Sequence, residues 1–315
     1  MILRGSEGRL RAGWRLALFV AIFLAALLGL SLLAVWLNAP WVSGAWPQRW
    51  AFVLPLLAVV FASWIMMERV ERMPLAALGL PVDRLLPGSF GRGVAFGTIL
   101  MGAVVLAMAA AGVLVWVRTP APVGQGVMVF LELSAFMVLA AFAEELLLRG
   151  YLLQVVAEAL GGPAAILVTA VVFAALHGLN PHISLLALTN IALAGVLLGA
   201  ALWRTMSLWF ATGLHFGWNW TMGVLADLPV SGLDDSTPGF SFDTPGFDAV
   251  VDRASPLTGG AFGPEGSLLV TAATLAGIAW VVRSRRLQPA LRVLALRPPA
   301  LRRRGPAQRA RSLSE

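Results

Sequence analysis

Residues 127–150 read VMVFLELSAFMVLAAFAEELLLRG, and the reading of this stretch decides the fold. Positions 127–148 form an apolar run about as long as a bilayer requires, roughly 20 residues as a helix. The run nevertheless ends in Glu144, Glu145 and Arg149. Charges inside a membrane span are costly and mark function by default. As a helix, Glu145 and Arg149 stand i,i+4 with the acid first, the favourable order for an intrahelical pair. That pairing can keep one carboxylate ionised at low dielectric. Glu144 points about 100° away around the helix and is free to face the interior of a bundle.

Seven further apolar segments flank this one, giving eight spans at about 14–37, 51–67, 93–117, 127–148, 163–178, 183–203, 207–226 and 267–282. The first is too long for a signal-peptide core and is read as an uncleaved span. Composition agrees: 59% of the 315 residues are hydrophobic and 12% charged, with a mean hydropathy of +0.83. A soluble domain is nearer half apolar and a quarter charged. An ordinary cytosolic enzyme, a disordered chain and a nucleic-acid-binding domain are thereby excluded. The expected fold is all-α, a polytopic membrane protein of about eight transmembrane helices, with the active-site residues on helices 4, 5 and 7.

Every one of the 23 basic residues is Arg, and they are unevenly placed. Arg4, Arg9, Arg11 and Arg15 precede span 1. Arg69, Arg72, Arg84 and Arg92 lie between spans 2 and 3, Arg204 follows span 6, and the tail from Arg283 to Arg311 is Arg-rich. The opposite loops carry Arg49, Arg118 and Arg253. The positive-inside rule then places both termini in the cytoplasm of a multi-pass protein of the cell (inner) membrane. Residues 1–282 form the integral membrane domain, and 283–315 a cytoplasmic tail that lies against anionic lipid. The acidic loop 227–265 falls outside. It repeats Thr237-Pro-Gly-Phe as Thr244-Pro-Gly-Phe and reads as a solvated loop of turns. Trp14, Trp36, Trp50, Trp116, Trp203 and Trp280 sit near span ends, as interfacial anchors do.

Two more clusters of polar residues interrupt apolar spans. Span 5 ends Phe173-Ala-Ala-Leu-His177, and span 7 holds His215-Phe-Gly-Trp-Asn219. Each pair is spaced i,i+4 and shares a helix face. If the chain turns at Gly161-Gly162-Pro163, His177 lies level with Glu145 on the neighbouring helix. A carboxylate and an imidazole about one water make a general base. A second imidazole with a carboxamide can polarise a carbonyl and hold its oxyanion. The same groups could ligate a divalent metal such as zinc, through Glu144, His177 and His215, with an open position for water. Metal-bound and metal-free water both remain open at this level. With no Cys, no Lys, no H-E-x-x-H pair, no G-x-S-x-G elbow and no Asp inside a clear span, other intramembrane hydrolase designs lack their parts.

Taken together, Glu144-Glu145…Arg149, Phe173…His177 and His215…Asn219 resemble the motifs E-E-x-x-x-R, F-x-x-x-H and H-x-x-x-N/D of the CAAX protease and bacteriocin-processing family, also called the abortive-infection family. The resemblance covers about 130–225. Gly195 and Gly199, between the last two motifs, fit its small-residue helix and allow close packing. The resemblance implies a membrane-embedded endopeptidase, related to the type II CAAX prenyl endopeptidases, acting on a membrane-associated polypeptide, with the bilayer and no nucleic acid as its other partner. By motif, Glu144 resembles the base that activates water, helped by His177. His215 and Asn219 resemble the carbonyl-polarising pair, Glu145 and Arg149 resemble structural residues, and Phe173 is packing. The family is described as metalloproteases, and a metal-free glutamate mechanism has also been proposed for it. The alternative is a non-proteolytic scaffold or bacteriocin-immunity-type protein of the same family. A proton-relay transporter would be expected to show an inverted repeat in its hydropathy, and none is visible. His182 reads as a loop residue outside the site. Asn190 could line the cavity or bond between helices, and Glu132 and Glu158 belong near span ends.

Overall fold

A computed structural model describes residues 10–81, 88–120, 123–233 and 246–287. The Thr-Pro-Gly-Phe repeat lies largely outside the described residues. So do Arg4, Arg9, Arg84 and the tail beyond 287. The chain is built from α1 (Ala12–Trp36), α2 (Val53–Ile65), α3 (Phe90–Ala110), β1 (Leu114–Arg118), α4 (Val123–Glu145), α5 (Leu153–Leu160), α6 (Gly162–His177), α7 (Leu185–Thr205), α8 (Leu208–Trp220), β2 (Phe247–Val251) and α9 (Leu268–Arg283). Each of the eight apolar segments is a helix. Five stretches are long and apolar enough to cross a membrane: α1, Gln48–Glu71, α3, Gly124–Leu160 and α7. Helices α6 and α9 are shorter and equally apolar in character. The fold is all-α and polytopic, with one small two-stranded antiparallel sheet among the described residues.

That sheet corrects one boundary. The third segment was expected to run to 117, but α3 ends at Ala110 and Gly112 turns the chain at φ 72. Glycine takes this left-handed conformation without a Cβ penalty. The following Leu-Val-Trp-Val-Arg run is β-branched and aromatic, which suits a strand. It pairs antiparallel with β2, Trp116 opposite Ala249. Trp116 therefore anchors a strand, its Nε1 donating to the Ala226 carbonyl at 3.0 Å. Part of the acidic loop is thus ordered as β2.

Serine caps start three of the later helices. Ser184, Ser207 and Ser267 accept from the backbone N–H of Ala187, Phe210 and Val270. Such caps satisfy amides that the first turn leaves unpaired. The turn at Gly161, φ 88, separates α5 from α6 where Gly-Gly-Pro was expected to break the helix.

Helices α3 and α8 pack backbone to backbone. A Cβ at Gly93 would run into the Phe210 carbonyl, and one at Gly97 into that of Leu214. A Cβ at Gly213 would strike the Phe90 carbonyl, and one at Gly217 that of Val94. Two GxxxG faces thus close on each other, a device that lets membrane helices approach closely. Gly195 of α7 similarly admits Ala170 of α6, and Gly199 admits Ile166. These contacts fix α8 and α6 as the carriers of the two motif histidines.

The two ends of the bundle are tied by different groups. At one end buried Arg15 reaches Glu71 at 3.1 Å and Glu158 at 3.0 Å, and the Tyr151 hydroxyl donates to Glu71 at 2.6 Å. There too, Leu208 N–H donates to the Gly79 carbonyl and Arg204 to that of Ser284. At the other end Arg49 pairs with Glu132 at 2.7 Å, and Trp50 donates to the same oxygen. Glu132 and Glu158 therefore hold span ends, as expected.

Candidate functional site

Glu144 and Glu145 close the last regular turn of α4. Beyond them Leu146–Leu152 widens to a π-helical stretch, with Gly150 at a non-helical ψ of -108. Such bulges recur at functional sites because they re-aim side chains within a helix. Glu145 and Arg149 lie on its buried side, both with wholly buried side chains, and pair at 2.9 Å. Arg149 also donates to the Gly195 carbonyl at 3.4 Å, in the gap that the glycine leaves. Its guanidinium lies 4.5 Å from the centre of the Phe173 ring. A desolvated cation over an aromatic face is held by the ring quadrupole.

Phe173 is therefore more than filler. The same ring makes edge contacts with His177, at 4.6 Å between centroids, and with His215, at 5.9 Å. It forms a wall shared by the Arg and both imidazoles. Each imidazole is also oriented through Nδ1. His177 Nδ1 lies 2.8 Å from the Phe173 carbonyl, and His215 Nδ1 lies 3.0 Å from Glu145 Oε1. Both partners can only accept, so Nδ1 carries the hydrogen in each ring and donates. In the neutral rings Nε2 is left with its lone pair.

Both Nε2 atoms face Glu144. Glu144 Oε2 lies 3.8 Å from His215 Nε2 and 4.0 Å from His177 Nε2. That oxygen is sealed from solvent and has no hydrogen-bond partner. An orphaned buried carboxylate oxygen is expensive unless a water or an ion satisfies it. A water about 2.8 Å from two such atoms would see them at roughly 85–90°, a workable angle for a bridging water. A zinc about 2.1 Å from both would need roughly 130–145°, well off tetrahedral. Among the described residues no group of three or more His, Cys, Asp or Glu is arranged to hold a metal ion. The atoms as they stand suit a bridging water better.

These groups line a cavity of about 430 Å³. Asn219, one turn beyond His215, lines it too. All four residues singled out for chemistry, Glu144, His177, His215 and Asn219, thus meet one cavity. Its remaining wall is mostly apolar, with Phe136, Met137, Leu197 and Trp218 among the lining residues. His182 and Asn190 do not line it. Asn190 bonds between helices instead, donating to the Glu265 and Ser267 carbonyls and accepting from the Thr271 hydroxyl.

Sequence reasoning missed the cavity rim. Glu265 is almost fully buried there, accepting from Trp218 Nε1 at 3.2 Å and from the Ser231 amide and hydroxyl at 2.9 and 2.7 Å. Asn180 donates to the Ser231 carbonyl at 2.8 Å. No local pattern announces Glu265, because its partners lie far away in the chain. The Gly93/Gly97 and Gly213/Gly217 spacing, by contrast, was visible and unread.

A membrane helix bundle that brings two carboxylates and two imidazoles together beside one cavity defines the class: a membrane-embedded site of the glutamate–histidine type. Residues 126–221, which carry all three motifs, match the family described as Type II CAAX prenyl endopeptidase Rce1-like, and this match supports the resemblance that the motifs carry. Comparison with curated proteins gives no match, and neither does comparison with solved structures. At the level of the family, the activity is that of a membrane peptidase.

Proposed function

We propose that the chain is an intramembrane endopeptidase that hydrolyses a peptide bond of a membrane-associated polypeptide with water activated by Glu144. One observation carries the reading: Glu144 Oε2, buried and without a partner, stands within one-water reach of Nε2 on both motif histidines. A general base must sit within hydrogen-bond reach of the proton it takes, directly or through a water.

In this reading a water held between Glu144 and His177 gives a proton to Glu144 as its oxygen attacks the carbonyl carbon. The carbonyl oxygen becomes an oxyanion, met by the Asn219 carboxamide and by His215 when Nε2 is protonated. The Glu145 carboxylate at Nδ1 orients that ring and supports its positive charge, so Glu145 is a positioning residue rather than a bystander. Collapse of the intermediate breaks the C–N bond. The proton held by Glu144 then passes to the leaving amine. Oxyanion donors of this kind contribute on the order of 10²–10³ in rate. No step needs a metal.

The test is the purified full chain in liposomes with a quenched-fluorescence peptide bearing an acyl anchor. Cleavage by the parent, lost in Glu144→Gln and His177→Ala at equal protein level, supports the reading. Cleavage that survives both substitutions refutes it.

A further inference from the structure

The cavity belongs to one end of the bundle. Its lining runs from Leu147, Leu148 and Glu144 past the histidines to Asn180, Ser231 and Glu265. Among the described residues no part of the 66–93, 151–165 or 203–209 segments reaches it. On that opposite side the way is closed. Arg149 is buried under the site, and beneath it pack Leu78, Leu146, Leu153, Leu202 and Leu208, each almost wholly shielded from solvent. The Arg15–Glu71–Tyr151 network lies on that same side.

The closed end is also the Arg-rich end. Arg69, Arg72, Arg204, Arg283, Arg285 and Arg286 flank helices there. The open end is the one carrying Arg49, Arg118 and Arg253, in the same set of loops as Asn180, Ser231 and Glu265. Asn180 ties to Ser231, Gly232 N–H donates to the Phe262 carbonyl, and Trp116 ties β1 to Ala226, so these loops form one rim. Loops rich in Arg stay in the cytoplasm. We infer that the site opens away from the cytoplasm and takes a polypeptide presented at the extracytoplasmic face of the membrane. This rests on the endopeptidase reading above.

The lining narrows the substrate further. It contains Glu144 and Glu265 and, among the described residues, no Arg, while the chain has no Lys. A free C-terminal carboxylate would face like charge from Glu144 and Glu265, and among the described lining residues only the imidazoles of His177 and His215 could answer it. The cavity suits an internal peptide bond in a segment with apolar side chains and no net negative charge.

The chain has no Cys, so single cysteines report their own surroundings. Leu179→Cys, at an almost fully exposed loop position, marks the open end, and Arg285→Cys, also exposed, marks the closed one. Glu144→Cys marks the cavity. Each full-length variant is treated in intact cells with a charged, membrane-impermeant thiol reagent, and again after permeabilisation. Leu179→Cys and Glu144→Cys are expected to label in intact cells at least tenfold faster than Arg285→Cys, which labels only after permeabilisation. The reverse pattern overturns the inference. So does labelling of Leu179→Cys and Arg285→Cys from one side, or a Glu144→Cys that reacts from neither side. Labelling needs no catalysis. A chain that labels as expected yet cleaves nothing refutes the peptidase reading and leaves the orientation standing.

Discussion

Two adjacent carboxylates should answer the same substitution in opposite ways. Glu144 Oε2 is buried without a partner, whereas Glu145 Oε1 takes both Arg149 and His215. Glu144→Gln removes a charge that stands 3.8–4.0 Å from the two imidazoles but makes no direct hydrogen bond to them. Its stability should stay within about 0.5 kcal/mol of the parent's, since the side chain is part-exposed to the cavity and anchors no direct hydrogen bond. Its rate should fall by about 10²–10⁴, the usual contribution of a general base. That corresponds to roughly 2.7–5.4 kcal/mol at 1.36 kcal/mol per tenfold. Glu145→Gln instead leaves Arg149 buried beside a neutral amide. Removing one partner of a buried pair costs about 3–5 kcal/mol, and an amide that still accepts one bond brings this to the lower end, about 3 kcal/mol. At roughly 2–4 °C per kcal/mol, Tm falls by about 6–12 °C. Tryptophan fluorescence during a thermal scan reads stability, helped by 12 Trp in the chain, and peptide cleavage in liposomes reads rate. A Glu144→Gln variant that unfolds early, or a Glu145→Gln variant as stable as the parent, would refute the division of labour between them.

Other substitutions follow the same geometry. Phe173→Leu removes the ring under Arg149 and should cost about 1–2 kcal/mol of stability, together with a loss of kcat from two loosened imidazoles; a variant with unchanged kcat would count against the shared wall. Gly213→Ala drives a methyl group into the Phe90 carbonyl, a backbone atom that cannot turn aside. The expected cost is about 3 kcal/mol, the upper end for overpacking, read as a lower Tm, while Gly29→Ala, in open space within α1, does not lower Tm. Incubation with a chelator followed by dialysis should leave the cleavage rate unaltered. A rate lost there and restored by added zinc would overturn the metal-free mechanism. Glu265→Gln should raise KM more than it lowers kcat, because it loosens the rim at Trp218 and Ser231 without touching the water.

Much of the site was legible because so few polar residues occur in the spans. Each apolar segment found by hydropathy holds a helix, though the short α5 lies outside them, and helical spacing placed Glu144 on the face that meets the cavity. The Gly161 turn brought His177 level with the acidic pair, within 4.0 Å of Glu144, as a turn at that point was expected to do. What escaped was pairing at long range. The i,i+4 bond from Glu145 to Arg149 is local, but the bond from Glu145 to His215 crosses 70 positions and no periodicity announces it. The end of α3 was misplaced for a related reason. Hydropathy scores Leu-Val-Trp-Val as span, and only pairing with Phe247–Val251, far along the chain, makes it a strand. Asn190 was left between two readings because either use buries it equally.

The glycine faces of α3 and α8 have a mechanical consequence. Where backbones touch without side chains between them, there is no compliant layer to take up displacement. His215 and Asn219 are mounted on that stiff pair. Glu144 is mounted differently, two residues ahead of a π-helical stretch and six ahead of the kink at Gly150, where the helical ladder is already out of register. When a peptide enters, the give in the site belongs to the base. The oxyanion side stays put, and the distance between them is set from one side only.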